Sequence, residues 1–203
     1  MKLIGPWFSG PTRRVGITLK LLDIPFEHLA LHAYLQRDEV RKFSPMGKVP
    51  ALVIGEATTM FDSGHIIDYL HEIVGPDRAL LAASGPLRHE ALHHIGIADA
   101  IYGKLLTLYD ESLRAPEHRD QGLTDGWIKQ VLTGFTMLEA ATGDGWLVDG
   151  KLSQADIFVV IVYQGASLGV LPDHVDAQRF PRLAALTERA MQLPAFAETN
   201  PFG

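Results

Sequence analysis

Residues 48–63 read Lys48-Val49-Pro50-Ala51-Leu52-Val53-Ile54-Gly55-Glu56-Ala57-Thr58-Thr59-Met60-Phe61-Asp62-Ser63, and this stretch decides the fold. Two short apolar or β-branched runs, 51–54 and 58–61, flank Gly55-Glu56, the signature of a hairpin. Ser63 then reads as the N-cap of an amphipathic helix, with Ile66, Ile67 and Leu70 turned inward and Gly75-Pro76 as its stop. Ahead of the first run, Val49-Pro50 reads either as a strand-initiating proline or as a cis X–Pro turn. The second reading leaves the Val49 N–H and C=O outside the sheet, where they can pair with an extended peptide.

Working outward, Lys2 to Trp7 is an apolar run that ends in the turn Ser9-Gly10-Pro11, a first strand. From Thr12 to Leu22, Val15, Leu19 and Leu22 recur at helical spacing, with Pro11 suited to the first turn. Phe26 to Leu31 follows the Ile24-Pro25 break as a second strand, and residues 36–44 read as a short, irregular helix. The order βαβ then αββα is thioredoxin-like. Beyond a small-residue stretch near Ala79–Pro86, the pattern predicts helices at about 86–113, 120–142, 153–168 and 181–192, with Trp146–Gly150 extended between them. The expected organisation is α/β plus all-α: a thioredoxin-like domain over residues 1–76, a linker over 77–85 and a helical domain over 86–203.

Composition narrows the class. The 203 residues can bury a sizeable core, and 47% hydrophobic with 21% charged residues is ordinary for a globular chain. A net charge of −6 argues against a general nucleic-acid binder. No apolar run approaches the eighteen or so residues of a membrane span, and Met1–Gly10 shows no export signal, so no membrane partner and a cytoplasmic location are expected. Cysteine is absent, which excludes disulfides and thiolate metal ligands.

That absence is informative in a thioredoxin-like domain, whose chemistry usually runs through its own thiol. Ser9 stands where such a thiol would sit. A hydroxyl cannot exchange disulfides, but it can hydrogen-bond to a thiolate that a ligand brings. As a lone residue Ser9 is an ordinary helix cap; at a strand end and helix start it also lies where free N–H groups and the helix dipole favour an anion. Arg13 and Arg14, one turn on, add positive potential or are surface charges. Lowering a bound thiol's pKa by about two units takes about 2.7 kcal/mol of preference for the anion, within reach of such a set. At the hairpin's end, Ser63 and its neighbouring N–H groups suit a carboxylate and Asp62 an ammonium, the two charges of a γ-glutamyl group.

Taken together, Ser9 with Arg13, Ser44-Pro45-Met46-Gly47-Lys48-Val49-Pro50-Ala51-Leu52 and Asp62-Ser63-Gly64-His65-Ile66-Ile67-Asp68-Tyr69-Leu70 resemble the N-terminal domain of cytosolic glutathione S-transferases. Gly150-Lys151-Leu152-Ser153-Gln154-Ala155-Asp156 resembles the N-capping box of a core helix in their C-terminal domain, a structural rather than catalytic element. The resemblance covers essentially the whole chain. It implies that Ser9 stabilises the glutathione thiolate, Val49 beside Pro50 pairs with the cysteinyl backbone, Asp62 and Ser63 hold the γ-glutamyl end, and Lys48 reaches a carboxylate. It further implies a homodimer, glutathione as co-substrate without a metal, a small electrophile as second substrate, and an electrophile pocket touched by Tyr102, Leu106 and Tyr109. One departure stands at the first motif. Many serine-type relatives place proline directly after the catalytic residue, whereas Gly10 precedes Pro11 here.

Two other classes compete. The first is a non-catalytic interaction protein on the same fold, since fold alone does not establish activity. The second arises from His89-Glu90-Ala91-Leu92-His93 with Gly96 and Asp99 downstream, a zinc-protease pattern that needs the helix to turn at Gly96. Ile95, Ala98, Ile101 and Leu105 instead continue the helical period through that glycine. Within the enzyme class, a glutathione-dependent isomerase of small unsaturated diacids is the alternative to a transferase.

Overall fold

The computed structural model describes residues 1–55 and 58–203; of the expected hairpin turn, Glu56 and Ala57 lie outside the described residues. The chain divides into two compact units, residues 1–83 with 192–203, and residues 84–191. The tail 192–203, assigned from sequence to the helical domain, therefore groups with the first unit.

The first unit holds a four-stranded mixed sheet in the order β2-β1-β3-β4, built from β1 (Lys2–Ile4), β2 (Glu27–Leu29), β3 (Ala51–Ile54) and β4 (Thr58–Phe61). β1 runs parallel to β2 and antiparallel to β3, and β3 is antiparallel to β4. The β1–α1–β2 crossover runs through α1 (Gly10–Leu21); α2 (Arg37–Arg41) and α3 (Ser63–Val74) complete the βαβ–αββα order. The first two strands are shorter than the apolar runs that announce them. Gly5, at φ +132°, turns the chain straight after Ile4, so Pro6 and Trp7 never join the sheet. Leu3 and Leu52, cross-strand partners, meet Val15, Leu19 and Leu22 of α1 and Ile66, Ile67 and Leu70 of α3 in one fully buried cluster. The inward positions read from the helical period are the ones that bury.

Two local corrections concern α1 and α3. Asp62, not Ser63, is the N-cap of α3: at φ +67° its carboxylate accepts the Gly64 N–H at 2.9 Å, and Ser63 is the first helical residue. Arg13 and Arg14 are not surface charges. Arg13 is 1% exposed, and its guanidinium donates to the Phe196 carbonyl at 3.3 Å and the Thr199 hydroxyl at 3.4 Å. Burial pushes it down to about 10. These bonds draw the C-terminal α8 (Pro194–Ala197) onto α1, and Lys20 adds a 2.5 Å ion pair to Glu198.

The second unit consists of α4 (Pro86–Ser112), α5 (Gln121–Ala141), α6 (Gln154–Gly165) and α7 (Pro181–Met191), with a single 3₁₀ turn at Pro116–His118. The helix expected over 153–168 gives way at Ala166–Val170 to a π-helical turn. α6 is buried from Gln154 to Gln164, and Phe135 of α5 sets its ring edge-on to Tyr163 at 6.1 Å. α4 and α5 approach closely at Gly134, where a Cβ would stand 2.7 Å from the Ile101 side chain. The expected capping box is present at the start of α6. Asp156 accepts from the Ser153 N–H and hydroxyl, both at 2.8 Å, and from the Leu147 N–H at 2.7 Å, so one buried carboxylate fixes both the helix start and the preceding extended segment. Burial pushes that carboxyl up; the three hydrogen bonds oppose the shift. Among the described residues no helix is long and apolar enough to cross a membrane.

The Arg13 anchor is testable. Thr199→Val removes the hydroxyl that Arg13 meets and that itself donates to the Ala195 carbonyl at 2.9 Å. Leaving a buried charged donor short of a partner is expected to cost about 1–3 kcal/mol in urea unfolding. An unchanged midpoint would mean that this bond does not hold the tail.

Candidate functional site

The strand register brings the sequence motifs to one end of the sheet. Ile4 pairs with Ala51, and Ala51 pairs with Phe61, so a single row crosses β1, β3 and β4. Immediately beyond that row the chain leaves β1 toward Ser9, enters β3 from Val49-Pro50, and leaves β4 into Asp62-Ser63. The Val49-Pro50 bond is cis, as one of the two readings has it, and the ladder takes in Ala51 but not Val49.

Gly5 shows how tightly these pieces meet. A Cβ on it would lie 2.4 Å from the Thr12 hydroxyl oxygen and 2.9 Å from the Val49 Cβ, so only a glycine lets β1 end between α1 and the cis-proline turn. The Thr12 oxygen is buried there with no hydrogen-bond partner among the described residues.

Ser9 is the N-cap of α1. Its hydroxyl oxygen accepts the Thr12 N–H at 3.4 Å, which leaves the hydroxyl proton available to donate. The residue is half-buried, at a helix end whose first N–H groups have no partners inside the helix. Ser63 is 7% exposed in the first turn of α3, while Asp62 is exposed and lies 3.5 Å from the His65 ring nitrogen. Lys48 is exposed, and its backbone N–H is held by the Ser44 hydroxyl at 3.2 Å. Arg13, paired in the motif with Ser9, spends these bonds on the C-terminal tail.

Sequence reasoning missed the support behind Ser9. Trp7 stacks on His28 with ring centroids 3.7 Å apart, and His28 in turn reaches the Gly5 carbonyl at 2.7 Å. On its other side Trp7 lies against Gly16 of α1, where a Cβ would come within 2.4 Å of the indole. The turn from β1 to Ser9 is thus packed between β2 and α1. An aromatic two residues before Ser9 and a glycine two turns after it were the available signals; neither has a local pattern that names its partner.

The residues on α4 lie in the second unit. The helix runs unbroken from Pro86 to Ser112 through Gly96, so the turn that a zinc-protease pattern needs there is missing. His89, Glu90, His93 and Asp99 are exposed, and no three His, Asp or Glu side chains converge as metal ligands among the described residues. The protease reading fails on the helix geometry. Tyr102 is half-buried with its ring 6.2 Å from Phe158, Tyr109 is half-buried, and Leu106 is 40% exposed.

The family model for the glutathione S-transferase N-terminal domain matches residues 3–78, and that for the C-terminal domain matches residues 99–198. A maleylacetoacetate isomerase from Pseudomonas aeruginosa is 30% identical, over 99% of this chain and 96% of its own length. A glutathione S-transferase from Methylobacterium radiotolerans, crystallised with glutathione sulfonate, has a TM-score of 0.92 at 24% identity, covering 100% of this chain and 95% of that one; this likeness concerns the fold. A bacterial zeta-class maleyl pyruvate isomerase has a TM-score of 0.82 at 28% identity, over 99% and 97% of the two chains. The chain belongs to the glutathione S-transferase family.

His94 is expected to give the helical unit a pH-dependent stability. It is 6% exposed, its Nδ1 has no hydrogen-bond partner among the described residues, and its pKa is lowered. Burial is the main cause and neighbouring His93 adds to it, against the opposing pull of Glu90 and Asp156. The unfolded chain takes up this proton near the ordinary value of 6.5 and the folded chain only at lower pH. Stability from this group is therefore complete above about 6.5 and is lost as pH falls through the folded value. In His94→Leu that loss is absent. The melting temperature of the native protein relative to the variant is expected to fall between pH 7.5 and pH 5.5; a constant difference would show that His94 does not titrate with folding.

Proposed function

We propose that the protein binds glutathione at the end of the sheet defined by Ile4, Ala51 and Phe61 and favours its thiolate for reaction with a small electrophile. The observation that carries this reading is the convergence of the Ser9 turn, the Val49-Pro50 turn and Asp62-Ser63 beside one row of the sheet. The local chemistry fits the tripeptide. Val49, outside the ladder, offers backbone groups to the cysteinyl residue as an added strand would. Ser63 and the first turn of α3 suit the γ-glutamyl carboxylate, Asp62 its ammonium, and the exposed Lys48 the glycyl carboxylate.

Ser9 directs its hydroxyl proton at the sulfur while its oxygen remains committed to the Thr12 N–H. The bound peptide supplies a thiolate nucleophile; the protein holds it in place and ionised near neutral pH. Tyr102, Leu106 and Tyr109 are the α4 residues assigned to the electrophile. A homodimer and a cytoplasmic location go with this reading on the family resemblance.

The relatives named as isomerases of maleylacetoacetate and maleyl pyruvate favour a second reading of the same site. Here the thiolate adds reversibly to a cis carbon–carbon double bond conjugated to a carbonyl and leaves after rotation, returning the trans isomer with no glutathione consumed.

The ultraviolet absorbance of the thiolate, followed across pH with bound glutathione, tests the role of Ser9. In Ser9→Ala the pKa of the bound thiol is expected to rise by about one to two units, the equivalent of one charge-assisted hydrogen bond. A depressed pKa that the substitution leaves alone would assign the thiolate to backbone N–H groups. No binding of glutathione would favour a non-catalytic interaction protein on this fold.

A further inference from the structure

On α5, the face that carries Asp125, Lys129, Thr133 and Thr136 is exposed and fronts the loop that leads into α7. Helix face and loop border a groove of about 660 Å³ that lies wholly within the second unit. Its loop side is built around Arg179. Asp176 accepts the Gln178 and Arg179 N–H groups at 2.9 and 2.8 Å, and the Arg179 guanidinium donates to the His174 carbonyl at 3.3 Å. The guanidinium carbon also stands 5.6 Å from the centre of the buried Phe180 ring. A carbonyl and a ring orient this cation without neutralising it. Among the described residues neither Arg179 nor Lys129 forms an ion pair. With His174 beside them, two fixed positive charges and an imidazole line one groove, in a chain whose net charge is −6.

The helix side offers acceptors instead. The Thr133 and Thr136 hydroxyls donate to the Lys129 and Leu132 carbonyls, each at 2.8 Å, which leaves their oxygens to accept. Asp125, one turn before Lys129, takes the Gln121 amide at 2.7 Å on one oxygen, and its second oxygen can accept as well. We infer that this groove binds a small phosphate ester that also bears hydroxyl groups. The phosphate lies against Lys129, His174 and Arg179, and the hydroxyls donate to Asp125, Thr133 and Thr136. A phosphate monoester carries a charge of about −1.5 to −2 near neutral pH, which matches the two fixed cations. A monocarboxylate leaves one of them unmet. The guanidinium fork can bond two phosphate oxygens at once, while the lysine adds a point charge. The groove's volume is that of a small-molecule site.

Calorimetric titration at low ionic strength with ribose 5-phosphate, inorganic phosphate, ribose and acetate separates the two sides of the groove. The native protein is expected to bind ribose 5-phosphate, inorganic phosphate about three- to tenfold more weakly, and ribose and acetate not measurably. Lys129→Gln and Arg179→Gln, shown to be folded by thermal melts, should each weaken the ester about three- to tenfold, since each removes a charge-assisted contact. Inorganic phosphate bound as tightly as the ester would assign the cations to the free ion and overturn the ester. Acetate bound as well as either phosphate would overturn the site altogether. So would an ester affinity that both substitutions leave unchanged, or a folded native protein that binds neither phosphate.

Discussion

The row Ile4–Ala51–Phe61 is the constraint on which the first unit depends. Side chains in a strand alternate with a period of two, so a slip of one residue between β1 and β3 would exchange the two faces. Leu3 or Leu52, whichever strand had shifted, would then leave the cluster shared with α1 and α3. The same slip would move Val49 relative to Ser9, and a slip at the hairpin would move Ser63. Core packing and the placing of the candidate site residues are therefore secured by the two registers that make up this row. Gly5 sharpens this, because the space between Thr12 and Val49 admits no side chain and β1 must end there.

α1 extends that constraint outward. Its cap residue Ser9 presents a hydroxyl, Arg13 one turn later receives the C-terminal tail, and Gly16 makes room for the Trp7 ring that steadies the incoming turn. Val15 and Leu19 of the same helix face the core. A single helix thus joins sheet, cap and tail. Burying a guanidinium is unfavourable unless its donors are met, and the Phe196 carbonyl and Thr199 hydroxyl meet two of them. In the second unit Asp156 works by the same logic, as one buried charged group whose partners define where two segments lie.

Much of this was legible in the sequence because it is local. The hairpin strands at 51–54 and 58–61 match their apolar and β-branched runs, and the long helices follow their 3.6-residue period to within a few residues. The Ser153–Asp156 box was readable from the family resemblance together with its spacing. What failed was of another kind. Ser63 was read as the cap, yet the +67° φ at the residue before it let Asp62 take the Gly64 N–H. The first strand looked longer than it is, because the pattern does not register a turn forced at Gly5. Arg13 and Arg14 read either as positive potential near Ser9 or as surface charges, and their burial went unread because a helix period does not say what a neighbouring segment will cover.

The sequence by itself thus determined the order of elements, the thioredoxin-like class of the first unit, the helical nature of the second, and the residue types that meet at the candidate site. These follow from interactions within a few residues, which leave a period or a spacing behind. Tertiary structure alone decided that Ser9, Val49 and Ser63 border one row of the sheet, that Trp7 stacks on His28, and that the tail returns to α1. The Arg13–Thr199 bond spans 186 residues, and Phe8 meets Phe202 across a similar distance in the chain. Such contacts depend on which surfaces remain to be buried once the strands have paired, and a linear pattern carries no trace of that.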